Sequence, residues 1–224
     1  MKLSVIIPVY NEQGTIAETI ARVRASSPEK EIIVVDDAST DSTCDIVSPL
    51  VTDDLSLIRQ PQNAGKGAAI RRALEEVTGD IVLIQDADLE YDPADYPALI
   101  APIIAGQADV VYGTRAPDFN GMSWRHRLFN WIAARLTNLL FRANLTDEAT
   151  CYKVFRTEVL RSIPLTCRRF EFCPEVTAKL RRRGLPIHEV PISYQARDIG
   201  AGKKIRWWDG VVALWTLIKY RFTD

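Results

Sequence analysis

Ile81-Val-Leu-Ile-Gln-Asp-Ala-Asp-Leu-Glu-Tyr-Asp-Pro93 is an apolar run that stops in acid. Ile81 to Ile84 is long enough for a buried strand, and Asp86, Asp88 and Glu90 follow at alternate positions. Residues i, i+2 and i+4 of an extended segment share a face, so strand geometry carried past Ile84 would bring the three carboxylates together. Like charges held that close repel unless a cation sits between them. An open set of oxygen donors suits Mg2+ or Mn2+, which also take phosphate oxygens. The pattern reads either as a metal and diphosphate clamp or as a polar turn that ends a strand, and the surrounding chain must decide.

Upstream, strand and helix patterns alternate. Leu3 to Tyr10 is a buried strand ending near Pro8, and Asn11 to Thr15 leads into a helix with Ile16, Ile20 and Val23 on its inner face. Glu31 to Asp37 is a second buried strand ending in acid, followed by a helix around Thr43 to Leu50 and a short strand at Leu55 to Ile58. Asn63-Ala-Gly-Lys-Gly67 opens a helix over Ala68 to Val77. Such alternation implies right-handed crossovers and a mainly parallel sheet, the α/β class, in which ligands bind beyond the carboxyl ends of the strands. Tyr10, Glu12, Asp37, Lys66 and Asp86 all fall at those ends, so one crevice can collect them. There Asp37 can accept from nucleobase N–H groups, Tyr10 can stack and Glu12 can bind a ribose hydroxyl. Each also has a plain reading as a cap, a turn or a solvated side chain. Asn63 to Gly67 lacks the earlier glycine and the following Ser or Thr of a phosphate loop, and no Gly-x-Gly-x-x-Gly follows the first strand, which argues against a nicotinamide enzyme.

The 224 residues, 47% hydrophobic, suffice for one domain with a full core. A net charge of -1 gives no global basic excess and no pointer to nucleic acid. Cys44, Cys151, Cys167 and Cys173 show neither CxxC spacing nor enough accompanying histidines for zinc, which fits a reducing compartment. Met1-Lys2 enters a strand at once, without signal-peptide features, and no apolar run approaches the roughly 20 residues of a membrane span. The expectation is a cytoplasmic protein whose membrane contact, if any, is peripheral.

Pro8-Val-Tyr-Asn-Glu12, Val34-Val-Asp-Asp37 with Ser39, Thr40 and Asp41, Asn63-x-Gly-Lys-Gly67, Asp86-Ala-Asp88 and Gly113-Thr-Arg115 occur in this order across residues 1 to 115. Together they resemble the family 2 inverting glycosyltransferases, most closely the polyprenyl-phosphate (dolichyl-phosphate) mannose and glucose synthases. The resemblance implies a GT-A fold. It also implies that Pro8, Tyr10, Asn11, Glu12, Asp37, Lys66, Asp86 and Ala87 bind the nucleotide, that Asp86 and Asp88 hold Mg2+ or Mn2+ and the diphosphate, and that Glu90 stands where a third metal-side residue is usual. Residues 1–115 would then form the nucleotide-sugar half and 116–224 the acceptor and membrane-surface half of one domain.

In the second half, the strand Asp109 to Arg115 delivers Arg115 as a fixed cation for phosphate. Ser123 to Phe141 is a helix with Trp124, Phe129 and Trp131 among arginines, either an interfacial membrane helix or a core helix with a wet basic face. Asp147 to Lys153 is a loop in which Cys151 replaces the glycine usual in the family, and Lys153 is a candidate cation for the acceptor phosphate. A helix around Pro174 to Arg183 and an edge strand around Pro191 follow. Arg197-Asp-Ile-Gly-Ala-Gly-Lys-Lys-Ile-Arg206 supplies cations on a glycine-containing segment, suited to a phosphate monoester or to open solvent. It resembles the segment with which the family grips its acceptor phosphate, which marks Arg197, Lys203 and Lys204. The terminal stretch with Trp207, Trp208 and Trp215 beside Lys219 and Arg221 forms an amphipathic helix suited to a membrane interface.

The implied reaction is attack by a lipid phosphate oxygen on the anomeric carbon of a nucleotide-bound hexose, from GDP-mannose or UDP-glucose, with Asp88 and Arg115 the residues most damaging to lose. A phosphate is already ionised near neutral pH, so no strong base is needed. Two other readings stay open. A transferase acting on a sugar hydroxyl would need a carboxylate base such as Glu171 or Glu175, and a non-enzymatic basic adaptor would explain only the tryptophan-rich helices. A homo-oligomer or a separate membrane partner is also left open.

Overall fold

The structure, a computed structural model, describes residues 1–117, 119, 121–196 and 207–223. Runs of Val, Ile and Leu too apolar for a solvated face make the three strands at its centre. These are β1 (Leu3–Val9), β2 (Lys30–Asp36) and β4 (Ile81–Ile84), and β1 and β4 are buried at every position. With β3 (Leu55–Arg59), β5 (Val110–Thr114), β6 (Lys153–Arg156) and β7 (His188–Pro191) they form one sheet in the order β3-β2-β1-β4-β6-β5-β7.

The pairs β1–β2, β1–β4, β2–β3 and β5–β7 are parallel, whereas β6 runs antiparallel to both β4 and β5. All strands except β6 therefore point their carboxyl ends at the same rim, and β6 begins there with Lys153. Pro191 closes the edge strand β7, where its missing N–H interrupts no ladder.

The helices are α1 (Ile16–Ala25), α2 (Thr43–Val47), α3 (Lys66–Glu76), α4 (Tyr96–Ile104), α5 (Trp124–Phe141), α6 (Thr157–Ser162), α7 (Phe172–Arg182) and α8 (Trp207–Phe222). The helix expected from Thr43 to Leu50 is α2 plus a 3-10 turn at Ser48–Leu50, and the one expected from Ala68 begins at Lys66. Helix α4 has no counterpart in the sequence reading. A second small core, Phe141, Ala178, Leu217 and Tyr220, joins α5, α7 and α8. Among the described residues no helix is long and apolar enough to cross a membrane.

Candidate active site

At the rim the loops leaving β1 and β2 are stitched together. Asn11, at a left-handed φ of 50°, donates its backbone N–H to Ser39 Oγ (2.9 Å), and its side-chain carbonyl accepts from Thr40 N (2.8 Å). Glu12 N donates to Thr43 Oγ1 (2.9 Å). Pro8 is buried inside β1, and Tyr10 and Glu12 are half-exposed at its exit. Asp37 is buried, and its carboxylate accepts from Ala64 N (2.7 Å), Gly65 N (2.7 Å) and Gln60 Nε2 (2.8 Å). Burial pushes its pKa up against the pull of the two amides. Asp37 therefore shapes the loop that presents Lys66.

That loop has three of its amides already engaged, those of Ala64, Gly65 and Ala68. Gly65 N is taken by Asp37, Ala68 N by Arg168 O (2.9 Å), and a Cβ on Gly65 or Gly67 would stand 2.6 or 2.7 Å from the carbonyl oxygen of Arg168 or Cys167. The glycines admit a neighbouring backbone.

Lys66 instead reaches Asp86, with Nζ 2.6 Å from Oδ1 and 3.3 Å from Cys151 Sγ. Burial works against its charge, but the ion pair and hydrogen bond with Asp86 outweigh it and hold the pKa well above the ordinary lysine value. The backbone around Asp86 is pinned on both sides. Buried Gln85 donates Nε2 to Asp86 O (2.9 Å) while its own Oε1 accepts from Tyr96 and Tyr152 hydroxyls (2.6 and 2.7 Å). Ala87 O accepts from Thr15 and Thr19 hydroxyls (2.7 and 3.2 Å), and Thr15 also donates to Glu12 Oε2 (3.1 Å).

The expected convergence of Asp86, Asp88 and Glu90 does not occur. Strand β4 stops at Ile84, Leu89 takes a φ of +61°, and Glu90 N donates to Asp88 Oδ1 (3.2 Å) in a tight turn that breaks the two-residue periodicity. Glu90 Oε2 then accepts from Tyr194 OH (3.0 Å). Among the described residues no group of three or more His, Cys, Asp or Glu side chains is placed to hold a metal ion. Asp86 and Asp88 still offer hard oxygen donors. This suits Mg2+, which binds one or two carboxylates and completes its shell with phosphate oxygens and water.

Arg115, at the exit of β5, is buried in a bidentate pair with Asp147 (Nε to Oδ2 2.7 Å, Nη2 to Oδ1 2.8 Å), and its guanidinium lies 5.0 Å from the Tyr194 ring centroid. Lys153 corrects an expectation. Its side chain is wholly enclosed, Nζ donating to Glu148 O (2.8 Å) and lying 3.5 Å from the Tyr112 ring centroid, so it is a core cation and not an open one for a phosphate. Glu175 is likewise enclosed, in an ion pair with Lys179 (2.7 Å), which removes it as a base. Arg197, Lys203 and Lys204 lie outside the described residues.

A model of the family described as "Glycosyl transferase family 2" matches residues 4–163. The chain belongs to this family. The glycosyltransferase is 31% identical over 215 residues to an undecaprenyl-phosphate mannosyltransferase of Micrococcus luteus, a match spanning 91% of this chain and 87% of that one. It is 26% identical over 210 residues to a dodecaprenyl-phosphate galacturonate synthase of Rhizobium johnstonii, covering 91% of this chain but 62% of the longer relative. Glucosyl-3-phosphoglycerate synthase from Mycobacterium tuberculosis, solved with Mn2+, uridine diphosphate and phosphoglyceric acid, superposes with a TM-score of 0.78 over 100% of this chain and 79% of that one at 22% identity. That likeness establishes the shared GT-A fold.

Several residues of the glycosyltransferase that organise this rim escaped the sequence reading. Gln85 was visible only as a polar residue abutting the strand, and Thr15 and Thr19 as two hydroxyls one helical turn apart. Tyr91 accepts from Cys151 N (3.0 Å) and packs its ring at 4.7 Å from that of Tyr152. Thr15 links Glu12 to Ala87, Gly65 and Lys66 link Asp37 to Asp86, and Tyr194 meets both Arg115 and Glu90.

Proposed function

We propose that this glycosyltransferase is a single-domain enzyme that transfers a hexosyl group, with inversion, from GDP-mannose or UDP-glucose to the phosphate of a polyprenyl lipid on the cytoplasmic face of a membrane, using Mg2+ or Mn2+. The observation that carries the reading is the continuous linkage Asp37, Gly65, Lys66, Asp86, which couples the expected nucleoside-binding acid to the acids expected to meet the diphosphate. The acceptor class is supported by the relatives named for undecaprenyl and dodecaprenyl phosphate.

In this reading Tyr10, Asn11 and Glu12 flank the nucleoside beside Asp37, and Ala87 lines the chain's approach to the diphosphate. A divalent ion bound at Asp86 and Asp88 supplies charge neutralisation to the leaving diphosphate. Asp88 fixes one end of the diphosphate site, and the anchored backbone of Gln85 to Ala87 keeps that site from reorganising during transfer. Arg115 sits at the exit of β5, where the anionic acceptor would approach, with its charge balanced by the bidentate pair with Asp147, so its part in this reading is a guanidinium held in fixed orientation and not an open positive charge. Arg197, Lys203 and Lys204 are the further cations proposed for the acceptor phosphate. The phosphate is its own nucleophile, which fits a rim whose nearby Glu175 is already neutralised by Lys179. Exposed Trp124 and Trp131 on α5 and Trp208 and Trp215 on α8 suit a membrane surface as the place where the lipid is met.

The test offers labelled GDP-mannose and UDP-glucose to the purified protein with undecaprenyl phosphate or with a free glycan, in Mn2+, Mg2+ or chelator. Label in the lipid phosphate product, dependent on the ion, is expected from one of the two donors. Transfer to glycan hydroxyls without lipid phosphate would overturn the reading. Asp88→Ala should lower turnover by about a hundredfold or more with the metal present. Near-normal turnover would remove Asp88 from the mechanism.

A further inference from the structure

We propose that Lys66 is a built-in counter-ion for Asp86 that keeps the Asp86-Ala-Asp88 site closed to a divalent cation until a nucleoside diphosphate draws the ammonium away. The inference rests on the donor-site reading above and adds an order to it: nucleotide and metal enter together, and the metal alone does not.

The geometry is a preformed pair. Lys66 Nζ stands 2.6 Å from Asp86 Oδ1, and the two side chains are 16% and 25% exposed, so solvent screens the contact only in part. Neither backbone is free to drift. Lys66 opens α3 directly after Gly65, whose N–H is captured by Asp37 and whose positive φ of 94° lets it pack on Arg168. Asp86 is held through its own carbonyl by Gln85 and through the next carbonyl by Thr15 and Thr19. Cys151 Sγ, 3.3 Å from Nζ, gives the ammonium a second partner on the side away from solvent, at the position where the family usually has glycine. Burial keeps that thiol protonated, so it adds no charge.

An ammonium and a divalent ion repel at hydrogen-bond range, so a carboxylate held by one is a poor ligand for the other. A diphosphate changes the balance. It brings several negative oxygens to the same rim, and a lysine stem of four carbons with three donors can move to them without backbone motion. The carboxylate this releases is then available to the ion that arrives on the same diphosphate.

Mn2+ binding, followed by the electron paramagnetic resonance signal of the free ion, tests this on the purified full chain without acceptor. The wild type is expected to take up Mn2+ weakly alone and more tightly with UDP or GDP. Lys66→Met should bind Mn2+ without nucleotide roughly tenfold or more tightly than the wild type, and adding Asp86→Asn to it should abolish the gain. A folded Lys66→Met protein that binds no more tightly, or a gain that survives in the double variant, overturns the proposal. Should Lys66→Met fail to fold, Lys66→Gln, which keeps a polar partner for Asp86 without the charge, is read in the same assay, and no gain in its nucleotide-free Mn2+ affinity overturns the idea. Failure of the lysine variants leaves the donor-site reading standing, whereas absence of any nucleotide-stimulated uptake by the wild type sinks both.

Discussion

Glu175 and Glu148 are both buried carboxylates, and their neighbours send them in opposite directions. Burial raises the pKa of Glu175, but Lys179, both donors of Thr166 and the amide of Cys167 outweigh it and hold the value below the ordinary one. Glu175→Gln should therefore leave the enclosed Lys179 ammonium without its counter-charge, though still donating to Pro164 O, and cost about 3–5 kcal/mol in urea unfolding. A loss under about 1 kcal/mol would mean that the site relaxes to admit water. Glu148 has weaker compensation, from Lys153 and the Thr177 hydroxyl at 3.2 Å, and burial carries its pKa up to about 7. The unfolded chain gives up this proton near the ordinary value while the folded chain keeps it, so the native state binds more protons between about pH 4.5 and 7. Across that window Glu148 costs increasing stability as pH rises, up to roughly 3 kcal/mol above the folded pKa. Glu148→Gln should remove this slope, so the variant gains on the wild type from pH 5 to pH 8. Parallel melting curves across that range would refute the assignment.

At the level of elements, the contact between the start of α3 and the Cys167-Arg168 backbone sets where Lys66 points. Gly67→Ala would put a methyl 2.7 Å from Cys167 O and 3.1 Å from Arg168 C, so backbone must move. The expected cost is about 1–3 kcal/mol, with weaker nucleotide binding in calorimetry. Gly14→Ala, where nothing lies within 4 Å of the added carbon, should leave both unchanged. This contact also marks what the sequence could and could not reveal. The parallel strands were legible because Ile32 to Val35 and Ile81 to Ile84 are apolar without alternation, which only a sheet covered on both faces tolerates. The acids at their ends were legible because a strand's exit is the natural place for charge. Helix α4 was not, since Tyr96-Pro-Ala-Leu-Ile-Ala-Pro-Ile-Ile104 is apolar nearly throughout and carries Pro97 and Pro102, so it shows no stripe. The turn after Asp88 depends on Leu89 at positive φ, a residue type that signals no turn, and Lys153 is buried by the antiparallel insertion of β6, a pairing between distant segments. Long-range pairing and side-chain enclosure are decided by tertiary packing, which local pattern does not encode.

Over the whole molecule, α8 is fastened to the body by Tyr220, whose hydroxyl meets Glu175 (3.0 Å), and by Arg182, which donates to Tyr220 O (3.2 Å). The inner faces of α5 and α8 are thereby committed, with Gly210 allowing close approach to the Phe129 ring. The outer faces are left apolar: Trp124, Leu128, Trp131 and Leu139 on α5, and Val211, Trp215, Ile218 and Phe222 on α8, are all exposed. Arg125, Arg127, Arg135, Lys219 and Arg221 are exposed on the same two helices, so the apolar strips carry positive charge beside them. The membrane contact proposed above would satisfy both parts, with the rings at headgroup depth and the cations at the phosphates of an anionic bilayer. Binding to vesicles containing anionic lipid should therefore weaken as salt rises, as screening shortens the reach of the charges. Trp131 and Trp215 are 57% and 62% exposed, and burying each in the interface is worth about 1.5 kcal/mol or more. Trp131→Ala with Trp215→Ala should then lower vesicle affinity by about a hundredfold while leaving nucleotide-stimulated Mn2+ uptake intact, because neither residue takes part in the hydrogen bonds and ion pairs that build the rim. Equal binding by the double variant, or sedimentation showing that both tryptophans are covered by a second copy of the chain, would assign this face to protein contact instead of lipid.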